Sequence, residues 1–201
     1  MKVELRNDSV ILEGYVNAVC RDSKILTDAN GKFVEQVMPK TFTRAIEKNS
    51  VDILLNHDKS RKLGDTTTNL KLREDNIGLY ARAEISDPDV IHRAKEGNLN
   101  GWSFGFLMNK DRKENTNTEG LERRFLEDIT LKEVSILSGK TPAYNGTSIQ
   151  TRDNEETYEL RCFDDEIEII DNTTKEEERE FVNYDHIEAK TLILKLKQRH
   201  Q

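Results

Sequence analysis

Cysteine is scarce: Cys20 and Cys162 are the two in a chain of 201 residues. They lie far apart and lack metal-site or redox spacing, which argues against a disulfide framework or a zinc ribbon and leaves both thiols free in a reducing cytoplasm. Long apolar runs are missing as well. No stretch approaches a membrane span, and Met1-Lys2-Val3-Glu4-Leu5 has no signal-peptide core, so no membrane partner is expected. A basic stripe with interleaved aromatics is also absent, so no nucleic-acid partner is expected. His57, His92, His186 and His200 are the histidines. None stands in an i, i+4 pair or a Cys/His cluster, so no metal, no cofactor and no zinc hydrolase is expected.

Charge of both signs is plentiful, at 34% of residues against 35% hydrophobic ones. That balance is polar for a compact globule. The explanation is its distribution. The acidic excess counted from Arg152 to Gln201 equals the whole chain's net charge of −7. The chain therefore reads as a near-neutral domain over 1–152 followed by an acidic extension over 153–201.

The domain half is dominated by β patterns. Val10–Val19 is β-rich and interrupted by Gly14. Lys40–Asn49 has helical spacing at Phe42, Ala45 and Ile46, with Pro39 just ahead of it. Val51–Asn56 is a short buried run. Thr66–Leu72 and Ile77–Ile85 alternate like the arms of a hairpin. Asp87-Pro88-Asp89 opens a second helix that Gly97 closes. Asp111–Gly120 reads as a polar hairpin loop, and Leu121–Asp128 and Ile129–Leu137 as returning strand. Neighbouring strand pairs with short polar loops predict an α+β fold, mainly β with flanking helices, and an antiparallel sheet or barrel rather than a βαβ repeat. In the extension, Ala189–Leu196 has leucines on one face of a short helix.

The most informative stretch is Gly101-Trp102-Ser103-Phe104-Gly105-Phe106. On a strand, the three aromatics share one side and Gly101, Ser103 and Gly105 share the other. The aromatic side anchors the strand in a core. The other side is bare backbone around one hydroxyl, as a nucleophile approached by an extended peptide needs, with Gly101 and Gly105 as substrate-binding positions. A serine hydroxyl also requires a base. His57, at the exit of the apolar run Leu54-Leu55-Asn56, is half-buried beside Asp58 and can serve. The plain alternative is a strand-end histidine that satisfies only a backbone group. Glu133 lies in the β-like segment Leu131–Ile136 and shares parity with Ile129, Leu131 and Leu137, so it is expected to point inward. It can orient an imidazole or form a cross-strand ion pair, and Asp58 and Asp128 compete for the first role.

Taken together, these segments resemble the prohead (capsid maturation) serine proteases of tailed phages. The resemblance spans about residues 5–152. It rests on Leu12-Glu13-Gly14-Tyr15, Asn56-His57-Asp58, Gly101–Phe106, Leu131–Ile136, and Thr141-Pro142-Ala143-Tyr144 with Thr147-Ser148, in that order. It implies the β-barrel fold of herpesvirus assembly proteases, with His57, Ser103 and Glu133 as the catalytic triad. It further implies a serine endopeptidase, active inside the immature capsid in the host cytoplasm, that cleaves scaffold or capsid protein and usually itself. Relatives of the herpesvirus type work as dimers, which leaves a homodimer or higher oligomer open here. The link Leu-Ser-Gly-Lys-Thr between Ile136 and Pro142 departs from the family pattern, and Gly139 and Lys140 there offer backbone N–H groups for an oxyanion. The acidic extension matches no motif, and is read as self-cleaved or scaffold-like.

Two rival readings remain. Gly101-Trp-Ser-Phe-Gly105 also fits the G-x-S-x-G elbow of an esterase, but that fold needs a histidine after the serine and a parallel sheet. A non-catalytic capsid assembly or scaffolding component with the same fold is the other.

Overall fold

The computed structural model describes residues 1–28, 30–139, 149–153, 156–163 and 166–173. Chain order is β1 (Lys2–Leu5), β2 (Val10–Ala18), β3 (Leu26–Asp28), β4 (Gly31–Val37), α1 (Thr41–Lys48), β5 (Asp52–Leu55), β6 (Asp58–Asp65), β7 (Leu70–Glu74), β8 (Gly78–Ile85), α2 (Pro88–Lys95), β9 (Leu99–Asn115), β10 (Leu121–Ser138), β11 (Ile149–Asp153), β12 (Glu156–Phe163) and β13 (Glu168–Asp171). The chain is therefore mainly β with two helices among the described residues.

The strands form a five-stranded sheet, β13-β1-β2-β8-β7, and a larger sheet, β11-β12-β9-β10-β4-β3. In the larger sheet β10 has three partners. It runs antiparallel to β9 along its length, parallel to β4 over Leu121–Leu126 and parallel to β5 over Glu133–Ile136. Among the described residues, the barrel expected from the family resemblance is not found as a closed ring. Among them the smaller sheet keeps edges at β13 and β7, and the larger one at β11, at β3 and, through β5, at β6.

Both sheets and both helices drain into one apolar core. Val3, Leu12, Val16 and Ala81 come from the smaller sheet, and Phe42, Ala45, Val90 and Ala94 from the helices. Trp102, Phe104 and Phe106 complete it from β9, each no more than 1% exposed. Phe104 meets Phe42 edge-on at 5.4 Å and stacks on Phe106 at 5.3 Å. The expected aromatic anchor of β9 is thus present.

Both helices form where the pattern placed them. Asp87 caps α2 by accepting from Val90 N–H at 3.0 Å, Pro88 fills the first turn, and Gly97 takes a positive φ of 70° just past the end. The polar stretch Asp111–Gly120 behaves differently from the expected loop. β9 continues to Asn115 and the turn occupies only 116–120. Cross-strand pairs Lys113–Glu122, Arg112–Glu127 and Lys110–Glu127, with Arg112 over the Phe125 ring, hold this two-stranded arm together beyond the core.

Strands also continue past Arg152, inside what charge alone marked as the acidic extension. β12 pairs with β9 over Trp102–Leu107, and β13 runs parallel to β1. Net charge conceals this because Glu159 and Arg161 of β12 are buried and paired with opposite charges. The helix expected at Ala189–Leu196 lies outside the described residues.

Candidate active site

His57 is placed by an unusual turn. After β5, Asn56 and His57 both take positive φ, 54° and 61°, a left-handed conformation that costs non-glycine residues about 1–2 kcal/mol each. Hydrogen bonds to the end of β10 hold it. Asn56 N–H donates to the Ile136 carbonyl at 2.9 Å, and the Asn56 amide both donates to Ser138 O (3.1 Å) and accepts from Ser138 N–H (2.8 Å). His57 N–H donates to Ser135 Oγ at 3.2 Å. The imidazole is left 12% exposed, turned onto the face of β10.

Glu133 reaches that face through a β-bulge. Leu131 pairs with Phe106 and Glu133 with Gly105, so exposed Lys132 is the surplus residue. Before the bulge, Ile129 and Leu131 point to the aromatic side of β9. After it, Glu133 and Ser135 point to the glycine–serine side, while Val134 and Ile136 return to the core. Glu133 does point inward, but not with Ile129 and Leu131 as simple alternation predicts.

The carboxylate is 3% exposed and fully engaged. Glu133 Oε1 lies 2.6 Å from His57 Nδ1 and accepts from Tyr158 OH at 3.0 Å, and Oε2 accepts from Ser135 Oγ at 2.7 Å. Burial by itself pulls the His57 pKa down. The neighbouring Cys162 thiol and the Glu133 carboxylate more than offset it, and the imidazole is pushed up to about 9. Burial, followed by the Glu133 charge, raises the Tyr158 phenol, so it stays a donor.

Ser103 sits on the same face, directly across from Ser135. It is fully buried. Its Oγ donates to the Arg161 carbonyl at 2.6 Å, and the Cys162 Sγ lies 3.4 Å away. His57 Nε2 is buried without a hydrogen-bond partner. The fold therefore joins His57 to Glu133 and sets Ser103 beside them, with its hydroxyl engaged by β12 instead of the imidazole. Gly105 lies under β12 too: a Cβ there would stand 1.8 Å from Tyr158 OH and 2.5 Å from Glu133 Oε1. Gly101, with φ of 138°, pairs with Leu137 at the entry to the strand.

The competing acids go elsewhere. Asp58 accepts from Ser60 N–H and Oγ, and Asp128 pairs with Lys48. His92 is an exposed partner of Glu96. Gly139 N–H is taken by the Asn98 carbonyl, and Lys140, Thr141–Tyr144, Thr147, Ser148, His186 and His200 lie outside the described residues. Sequence reading missed Tyr158 and Cys162, which alternate with Glu159 and Arg161 in Tyr-Glu-Leu-Arg-Cys. That alternation is a strand signal, obscured by the acidic residues around it.

No curated protein and no solved structure matches this chain. One family model does, that of the caudovirus prohead serine proteases, over residues 1–160. That match takes in the left-handed turn, the bulge and the glycine-flanked serine, and runs from β1 into the strand covering Ser103; the chain belongs to the caudovirus prohead serine protease family.

Proposed function

We propose that this chain is a serine endopeptidase of phage capsid maturation in which Ser103 is the nucleophile, His57 the general base and Glu133 the group that orients the imidazole. The observation that carries this reading is the 2.6 Å contact between His57 Nδ1 and Glu133 Oε1, with Nε2 left without a partner on the side of the sheet that bears Ser103. A carboxylate on Nδ1 fixes the tautomer that leaves Nε2 free to take a hydroxyl proton, and stabilises the imidazolium that results. Ser135 and Tyr158 fix the carboxylate in turn.

In turnover, Ser103 Oγ attacks the scissile carbonyl as His57 Nε2 removes its proton. The imidazolium gives that proton to the leaving amine, and water then hydrolyses the acyl-enzyme by the same route. The arrangement with β12 in place is latent. The hydroxyl donates to Arg161 O, and an imidazole that titrates near 9 holds its proton at neutral pH. Substrates in this reading are scaffold protein or a scaffolding segment of the capsid protein, cut inside the prohead, together with the chain itself.

Intact-mass analysis of wild-type and Ser103→Ala protein, incubated alone and with the cognate capsid or scaffold protein, tests this. Fragments from the wild type that disappear in the variant are expected, with a rate loss of about 10³-fold or more. Identical patterns from both, with folded protein and the right substrate, would leave an assembly component without peptidase activity.

A further inference from the structure

β12 holds the edge of β9 at Ser103, and it does so with a specific chemical pattern. Successive residues of β12 face opposite ways. Tyr158 and Cys162 lie over the site, while Glu159 and Arg161 turn to the other side and are 1% and 6% exposed. There they meet two charges that belong to other strands. Arg124 of β10 grips Glu159 with two bonds of 2.8 Å, and Glu35 of β4 grips Arg161 with two bonds of 2.8 Å. Arg124 and Glu35 also contact each other at 3.2 Å, and Arg124 Nε donates to Asp111 at 2.6 Å.

The receiving pair therefore belongs to the sheet and not to the strand lying on it. Forked bonds of this kind fix position as well as charge. A segment offering an apolar residue would strip Arg124 or Glu35 of its forked partner and leave only their 3.2 Å contact with each other and the Asp111 bond. A reversed one would bury like charges face to face, which is strongly destabilising. The register is fixed too. When the glutamate and arginine are seated, the arginine carbonyl is the one that meets Ser103 Oγ.

We propose that the β9 edge beside Ser103 is a peptide-binding site that reads Glu-x-Arg through Arg124 and Glu35, and that β12 is its resident occupant. The arginine then supplies the acyl side of the scissile bond. This assignment of substrate class rests on Ser103 being the nucleophile. Attack joins Ser103 Oγ to the arginine carbonyl carbon and breaks the following C–N bond. The hydroxyl proton passes through His57 to the released amine, and water liberates the arginine carboxylate. Strand addition supplies the backbone bonds, and the two buried charges supply the choice of sequence. A substrate strand and β12 compete for one edge. The same spacing recurs at Glu177-Glu178-Arg179 in the acidic extension.

The test separates binding from catalysis by using full-length protein with Ser103→Ala. A labelled peptide with the sequence of residues 156–163 is titrated by fluorescence anisotropy into this protein carrying Arg161→Ala, which loosens the resident strand. Binding is expected to weaken at least about tenfold when glutamate and arginine are exchanged in the peptide. The exchanged peptide should regain affinity for protein that also carries Glu35→Arg and Arg124→Glu. Equal binding of both peptides, or binding of neither to folded protein, would overturn the proposal. If Arg161→Ala does not fold, hydrogen exchange at the β12 amides of the Ser103→Ala protein gives the same answer. Exchange should rise with excess Glu-x-Arg peptide and not with the exchanged one, and no difference between the two would overturn the proposal. A peptide that binds selectively yet is never cut by protein retaining Ser103 would instead sink the peptidase reading and leave the binding site standing.

Discussion

Cys162 stands directly across the ladder from Ser103, its sulfur 3.4 Å from the hydroxyl, and its thiol also acts on the His57 imidazole. One side chain of a covering strand thus stands against the Ser103 hydroxyl and also raises the His57 pKa. Cys162→Ala should lower the His57 titration from about 9, and Glu133→Gln should lower it as well, because each removes a group that favours the imidazolium. NMR titration of the His57 ring reads both. An unchanged midpoint in the two variants would contradict this account of the shift.

The same shift sets a pH dependence of stability. The folded-state pKa of His57 is raised from 6.5 to about 9, so folding favours its protonated form. The resulting stabilisation, roughly 3 kcal/mol, is fully present below about pH 6.5 and is lost as pH rises through about 9. Melting temperatures between pH 6 and pH 10 should fall across that window in wild type. Glu133→Gln should flatten that part of the profile.

Gly105 is fixed by what covers it. In Gly105→Ala the new methyl would run into Tyr158 OH and Glu133 Oε1, and overpacking of this kind costs about 1–3 kcal/mol. Peptidase activity should fall with it, as the carboxylate is pushed from His57. Adding Tyr158→Phe removes the nearest clashing atom, so the double variant should recover part of the lost melting temperature. No recovery would mean that the clash lies elsewhere.

Asn56 supports His57 in two separable ways. Asn56→Gly keeps the left-handed backbone and loses both bonds to Ser138, whereas Asn56→Ala loses the bonds and strains the turn as well. The alanine variant should be less stable than the glycine variant by about 1 kcal/mol in thermal or urea unfolding. Both should lower kcat more than they raise KM, since the proposed base is displaced while the proposed peptide edge is untouched.

Much of the site is legible in the sequence because short-range rules govern it. The alternation around Ser103 gives the two faces of β9, and Asp87-Pro88 gives the start of α2. The pairing of His57 with Glu133 also follows the expected residues. The path by which Glu133 arrives is another matter, because a bulge arises from pairing between two strands and leaves no mark on one of them. β12 is obscured for a related reason. Glu159 and Arg161 look like solvated charge in a polar segment, and only the partners Arg124 and Glu35, more than thirty residues away along the chain, make them interior residues. The length of β9 was hidden in the same way by its charged outer arm.

Lys132 has a consequence for how sequences of this kind should be compared. It works as a phase slip: before it the core reads the odd positions, Ile129 and Leu131, and after it the even ones, Val134 and Ile136. Removing Lys132 alone would keep Leu131 opposite Phe106 and Glu133 opposite Gly105. Removing Leu131, by contrast, would bring the lysine opposite Phe106 and into the core, and removing Glu133 would take the carboxylate away. A gap of one residue in an alignment is therefore harmless at this position and disabling one step to either side.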